Sequence, residues 1–477
     1  MASTNNNKSL HIAMFPWLAF GHILPFLQLA KLIAQRGHTI SFISTPRNID
    51  RLPKLPPALS SLITFVKLPL PSSDVQGLPP AAEATSDLEA RHVGYLKRAY
   101  DLLQHPLSTF LQSSSSHPPD FIICDYAPFW LPAVARRLGI PTVFFSIFIA
   151  SSLAFSSPPA DDEDEDYRRA AEDLAEKPRW VPFETTSGYF RPFEAKASFE
   201  MVLVGGGGQE FPEIHRFRQM LRGCDYIAVR TCPELEYDWL KLLEQMHKKP
   251  VFPIGVLPNP IKEEDEKEEG DEDTWKSIKE WLNDGKERGS VVYVAFGSEA
   301  IPSQEELTEI AIGLELSGLP FFWVVRSSND HRELPEGFEE RTAGRGVVWK
   351  GWAPQVKILG HESVGCLFCH SGWSSVVEAL QFGHPLVLLT FYADQGLNAK
   401  LLQEKGVGYL VPRNDDDGRF RRESVAESLR AVMLAEEEEG QSGHRKKAAE
   451  MQTLFADTEK HESYVHDFLS NLVQALP

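Results

Sequence analysis

The feature that most limits what this chain can fold into is an alternation of strand-length apolar runs with helix-period segments, which opens the sequence and restarts after residue 250. His11–Phe15 is a short apolar run, Ile23–Gln35 repeats its apolar positions with helical period, and Thr39–Ser44 is a second strand-length run. Two strands joined through a helix lie parallel, so this is a βαβ unit. The pattern recurs at Phe121–Cys124, Trp130–Leu138 and Thr142–Phe145. Beyond residue 250 come Val291–Phe296, the helical Glu305–Leu316, Phe321–Val325, Val347–Lys350, Gly365–Cys369 and Leu386–Leu389. The expectation is α/β, with two domains, each built on a mainly parallel sheet. The 477 residues are also too many for one ordinary core.

Between the halves, Pro253-Ile-Gly-Val-Leu-Pro-Asn-Pro260 and the acidic run Glu263–Asp273 read as a linker with a loop. The expected organisation is an N-terminal domain over 1–252, the linker over 253–275, a C-terminal domain over 276–455 and a terminal helix over 456–477. Asp161–Asp166 and Gly205–Gly208 read as exposed loops. The carboxylates are not spaced around a turn as ion ligands are, and the glycines lack a G-x-G-x-x-G spacing.

A net charge of −19 argues against nucleic acid, whose phosphates are held by clustered Lys and Arg. It does not exclude an anionic substrate, because backbone N–H groups at helix starts bind phosphate inside acidic proteins. Pro16, His22 and Pro25 interrupt the apolar run Leu10–Leu32, so no signal peptide or membrane span is expected. Five cysteines in a long chain are no disulfide framework, and a reducing cytoplasmic location is expected.

The densest collection of chemistry-bearing residues runs from Trp352 to Gln395: Trp352-Ala353-Pro-Gln355, His370-Ser-Gly372-Trp373-Ser374-Ser375, Glu378, and Asp394-Gln395. Trp352 ends a strand, where an indole face can stack on a flat base, although taken alone it reads more readily as core. The His370–Ser375 turn leads from strand into helix, so its N–H groups and the helix dipole face an anion such as a diphosphate. Ser374 and Ser375 are equally plausible as plain caps. Glu378, one turn on, can accept both hydroxyls of a ribose diol. Asp394 and Gln395 open the next helix and suit hexose hydroxyls, or the aspartate merely caps that helix.

Trp352–Gln395 resembles the 44-position donor-binding signature of plant family-1 UDP-glycosyltransferases. Phe15-Pro-Trp-Leu-Ala-Phe-Gly-His22 and Phe296-Gly-Ser298 also match motifs of that family. The resemblance implies the GT-B fold, two Rossmann-like domains facing each other across a cleft. The N-terminal domain would bind the acceptor, the C-terminal domain the UDP-sugar, and the last helix would cross back to the N-terminal domain. It implies that Trp352 stacks uracil, with Ala353 beside it, and that Gln355 and Glu378 hold ribose. Ser298, His370, Gly372, Ser374 and Ser375 would approach the diphosphate, with Trp373, Asp394 and Gln395 around the sugar. Trp373 and Gln395 favour UDP-glucose; UDP-rhamnose, UDP-galactose and UDP-xylose stay open. The chain departs from the common pattern at Cys366, Cys369, Ser371, Ser374 and Thr390, where relatives usually carry Gly, Thr, Cys, Asn and Pro. The UDP-sugar is a co-substrate, and neither metal nor cofactor is expected.

For catalysis, His22 follows Gly21 between the first strand and first helix, facing the crevice at the strand ends, where an imidazole can act as general base. Asp125, at the end of Phe121–Cys124, is the candidate to hold its other nitrogen. The implied reaction is a single inverting displacement giving a β-glucoside. The expected partners are a UDP-sugar and a small-molecule acceptor, with the chain acting as a monomer. Trp17, Phe20, Phe148 and Phe391 are expected to line an apolar acceptor site. Phe15-Pro-Trp-Leu-Ala, Ser44-Thr-Pro-Arg-Asn-Ile49 and Gly383-His-Pro385 resemble the branch that extends sugars already attached to flavonoids or terpenoids.

Rival classes fare worse. Cys366-Leu-Phe-Cys369-His370 formally matches the haem-attachment motif C-x-x-C-H, but the cysteines lie in an apolar strand. The first βα turn lacks the dinucleotide glycine fingerprint, and no G-x-S-x-G marks a serine hydrolase. A binding protein that has lost catalysis is the remaining alternative, opposed by the retention of His22 and Asp125.

Overall fold

Runs such as Phe-Ile-Ile-Cys at 121–124 and Thr-Val-Phe-Phe-Ser at 142–146 are buried along their whole length, as strands covered by helices on both faces must be. The computed structural model describes residues 9–113, 118–162, 168–204, 210–259, 271–297, 302–325, 332–434 and 443–476. Ser298, Gly205–Gly208, residues 163–166 of the carboxylate block and residues 263–270 of the acidic run lie outside them.

Seven strands form the first sheet: β1 (His11–Phe15), β2 (Thr39–Ser44), β3 (Ile63–Lys67), β4 (Phe121–Cys124), β5 (Thr142–Ser146), β6 (Tyr226–Val229) and β7 (Val251–Pro253), in the order 3-2-1-4-5-6-7. Six form the second: β8 (Val291–Ala295), β9 (Phe321–Val325), β10 (Gly346–Lys350), β11 (Val364–Cys369), β12 (Leu386–Leu388) and β13 (Gly408–Leu410), in the order 10-9-8-11-12-13. Every pairing in both is parallel. The chain is thus α/β with two Rossmann-like domains. Strand order reverses between β1 and β4 in one sheet and between β8 and β11 in the other. Register puts Phe15 beside Cys124 and Ala295 beside Cys369, so the residues that follow leave each sheet side by side at its switch point.

The helices that matter for the site are α1 (Phe20–Ala34), α2 (Val93–Asp101), α3 (Glu213–Gly223), α4 (Gln355–Leu359), α5 (Trp373–Gln381), α6 (Gln395–Glu404) and α7 (Thr458–Ala475). Helix α7 closes the chain. Its Val465, Phe468, Leu469 and Leu472 are buried in one cluster with Ile12, Ile23 and Phe26 of the N-terminal domain. Each such side chain taken from water stabilises the docking by about 1.5–3 kcal/mol.

Two departures from the sequence reading concern boundaries. Strand β7 runs across the expected limit at 252, and the helix Asp271–Asn283 starts inside the expected linker. Helix α1 begins at Phe20, so His22 lies in its first turn rather than before it; the His22 N–H already bonds to the Ala19 carbonyl.

Candidate active site

At the first switch point the His22 imidazole Nδ1 lies 2.7 Å from Asp125 Oδ2. The Asp125 carboxylate has no exposed surface, yet it is compensated: the Trp17 N–H donates to Oδ2 at 3.2 Å and the Tyr126 N–H to Oδ1 at 2.7 Å. With Nδ1–H donated to the carboxylate, Nε2 carries the free lone pair, the tautomer a general base requires. The His22 side chain is 12% exposed, so it can reach a bound molecule.

Aromatic rings surround this imidazole. Phe148 meets it edge-on at 5.5 Å, and Tyr126, at 6.0 Å, stacks on Phe217 of α3. Phe148 therefore stands against His22. Trp17 is buried, edge-on to Tyr100, and touches the site through its backbone N–H rather than an open indole face. Phe20 packs beneath Arg51, and Phe391 belongs to the C-terminal domain, edge-on to Phe296.

At the second switch point the His370 ring is held between two glycines. A Cβ at Gly297 would come within 2.7 Å of the ring and one at Gly372 within 2.5 Å, so no larger residue fits either place. Burial pushes the imidazole down to about 4, and its Nδ1 has no hydrogen-bond partner among the described residues. Gly372 caps α5, leaving the first-turn N–H groups of that helix free to face an anion. Trp352 is 60% exposed, a large indole left open at the end of β10, with half-buried Ala353 beside it. Gln355 at the start of α4 donates to Glu378 at 2.6 Å and to Ser375 at 3.2 Å. Burial holds the Glu378 carboxyl above the usual carboxylate range, countered by that Gln355 hydrogen bond.

Trp373 does not present its indole to this cleft. The ring is buried near Phe455, and its Nε1–H donates to the Arg230 carbonyl at 3.2 Å. Gln395 spends its side-chain oxygen on the N–H groups of Phe391 and Tyr392. Asp394 accepts from Asn398 at 2.7 Å; burial raises its carboxyl pKa, and nearby His22 opposes the rise. That proximity brings the two halves together, because His22 and Asp394 come from different domains.

Comparison with known proteins gives the family. Residues 235–435 match the family model described as UDP-glucoronosyl and UDP-glucosyl transferase. UDP-glycosyltransferase 91A1 of Arabidopsis thaliana is 51% identical over 474 residues, covering 98% of this chain and 97% of its own. The chain belongs to the plant family-1 UDP-glycosyltransferases. Soyasaponin III rhamnosyltransferase of Glycine max is 43% identical, covering 98% and 96%. The structure of Glycyrrhiza uralensis UGT73P12 shares the fold, with a TM-score of 0.76 at 21% identity and coverage of 98% and 96%. As a family-1 UDP-glycosyltransferase the chain is a hexosyltransferase whose co-substrate is a UDP-sugar.

In this glycosyltransferase the C-x-x-C-H resemblance to a haem site has no chemical basis. Cys366 and Cys369 are fully buried in β11, and burial pushes both thiols up to about 12. Among the described residues no three or more His, Cys, Asp and Glu side chains group as metal ligands, and no helix is long and apolar enough to cross a membrane. Sequence reasoning passed over several residues beside the site. Lys97 of α2 and Glu213 of α3 form a buried ion pair, and the Lys97 ammonium lies 5.7 Å over Trp17 and 6.0 Å over Tyr126. Asn259 donates to Glu378 at 2.7 Å from the linker, and Arg230 reaches Ser374 from the end of β6. Only Arg230 carried a usable signal, a cation directly after an apolar strand in a sheet whose strand ends line a crevice.

Proposed function

We propose that the chain transfers a sugar from a UDP-sugar to a hydroxyl of a small plant metabolite by a single inverting displacement. The observation that carries the reading is the 2.7 Å His22–Asp125 pair, close enough to Asp394 of the other domain for their charges to interact. The acceptor hydroxyl donates its proton to His22 Nε2 as its oxygen attacks the anomeric carbon. The bond from that carbon to the diphosphate breaks, and its electron pair leaves with UDP. Asp125 fixes the tautomer and stabilises the imidazolium. The free N–H groups of α5, with His370, Ser374 and Ser375, receive the diphosphate, while Trp352, Ala353, Gln355 and Glu378 receive uridine and Asp394 and Gln395 the sugar. Glu378 must exchange Asn259 for the ribose.

UDP-glucose is the favoured donor, on the strength of Gln395 in the donor signature. A second donor, UDP-rhamnose, is supported by the 43% identity to a rhamnosyltransferase over nearly the whole chain. The acceptor is a flavonoid or terpenoid that already carries a sugar, met by the Phe148, Tyr126 and Phe217 rings. The test is UDP release from each donor with a panel of flavonoid and terpenoid glycosides and aglycones, with the product's anomeric configuration read by NMR. An inverted product from a glycoside acceptor supports the reading. Retention of configuration, or UDP binding without turnover for any pair, contradicts it.

A further inference from the structure

Arg230 follows β6 in the N-terminal domain, yet its side chain enters the donor half of the cleft. It is 3% exposed. Its Nε donates to the Val256 carbonyl at 2.9 Å, Nη2 to the Leu257 carbonyl at 3.4 Å and Nη1 to Ser374 Oγ at 2.9 Å. All three partners are neutral, so among the described residues this buried guanidinium has no carboxylate in hydrogen-bond contact. Burial lowers its pKa to about 10, which still leaves it charged at neutral pH. The carboxylate that opposes that fall, Glu378, is already engaged by Gln355 and Asn259.

A buried cation without a bonded counter-ion is costly unless a ligand supplies the charge. This one bonds to Ser374 in the first turn of α5, where the reading above places the diphosphate. It also occupies a place that the side chain at 374 controls: the short serine leaves room for the guanidinium, whereas the asparagine usual in relatives is longer. Because Ser374 Oγ accepts from Nη1, its own proton points elsewhere, free to be donated to a phosphate oxygen.

We propose that Arg230 is a positioning residue for the donor diphosphate, orienting the Ser374 hydroxyl toward it and supplying the positive charge that offsets the departing UDP. The proposal rests on the donor site assigned above. It ties that site to the N-terminal domain, since the same residue's carbonyl accepts from Trp373 Nε1. Charge offset without a metal is then shared between the helix N–H groups and one buried arginine.

The test is calorimetric titration of UDP and of uridine into wild type, Arg230→Gln and Arg230→Lys. Loss of a charge-assisted contact predicts UDP affinity about ten- to a hundredfold weaker in Arg230→Gln, with uridine affinity unchanged. Arg230→Lys, which keeps the charge, falls between, and it carries the test should the glutamine variant fail to fold. Unchanged UDP affinity, or equal losses for UDP and uridine, overturns the proposal, the second because it marks a structural role. Failure of the wild type to bind UDP removes the donor-site reading itself, a result distinct from either.

Discussion

At residue 125 a carboxylate with no exposed surface accepts from one imidazole and two backbone N–H groups, and each bond has a separate task. The backbone bonds fix the carboxylate at the end of β4; the imidazole bond fixes His22. Asparagine at 125 keeps the shape but replaces an acceptor with an amide that can turn its NH₂ toward Nδ1, favouring the wrong tautomer. Asp125→Asn is therefore expected to lower kcat by about 10²–10⁴ while leaving UDP affinity within twofold or so of wild type. Stopped assays and UDP titration on the same preparation check this. A parallel loss of UDP binding would show that the residue supports the fold instead.

At the scale of elements, the strands and helices are placed so that two switch points face one cleft. Helix α7 joins the far end of the chain to the first sheet, with Phe468 1% exposed and 5.6 Å from the Phe252 ring. Phe468→Ala is expected to cost about 3–5 kcal/mol in chemical denaturation, because the cavity lies in a shared core; a loss below about 1 kcal/mol would mean the helix docks weakly. The elements legible in the sequence were those with long apolar runs, such as β1, β4, β8 and β11. Strands β3, β6, β7 and β13 were not anticipated: β7 and β13 have three residues each, and β7 ends on Pro253. Local pattern carries little signal at that length; pairing with neighbours makes these residues strands. The donor-signature residues were legible because they are contiguous. Asn259, Lys97 and Glu213 were not, because what matters about them is a contact across more than a hundred residues of chain; Arg230 stands directly after an apolar run, but its partner Ser374 lies 144 residues away. Trp373 shows the converse, a residue legible as a motif whose indole packs away from the cleft.

At the scale of the whole molecule, the domains are also held together beyond the site. Arg191 donates to Thr390 at 2.8 Å, and Glu404 accepts from Thr185, Thr186 and Ser187. Global stability should respond to acid through buried histidines. His247 is buried with Nε2 unpaired among the described residues, and burial lowers its pKa from the ordinary 6.5 to about 4. The unfolded chain therefore binds the proton first as pH falls. The stabilisation is complete above pH 6.5 and is lost between there and about 4, with roughly 2 kcal/mol gone by pH 5. His247→Phe should reduce the fall of the denaturant midpoint over that window, with His370 still contributing a slope of its own; an unchanged slope would exclude the group.

The central claim is that the two domains form one catalytic cleft in which His22 takes the acceptor proton. The most direct measurement is the turnover number of His22→Ala beside wild type at saturating UDP-sugar and acceptor, with UDP affinity measured on both. A fall in kcat of about 10²-fold or more is expected, with UDP affinity retained. Turnover equal to wild type would contradict it, because the proton would then have another destination.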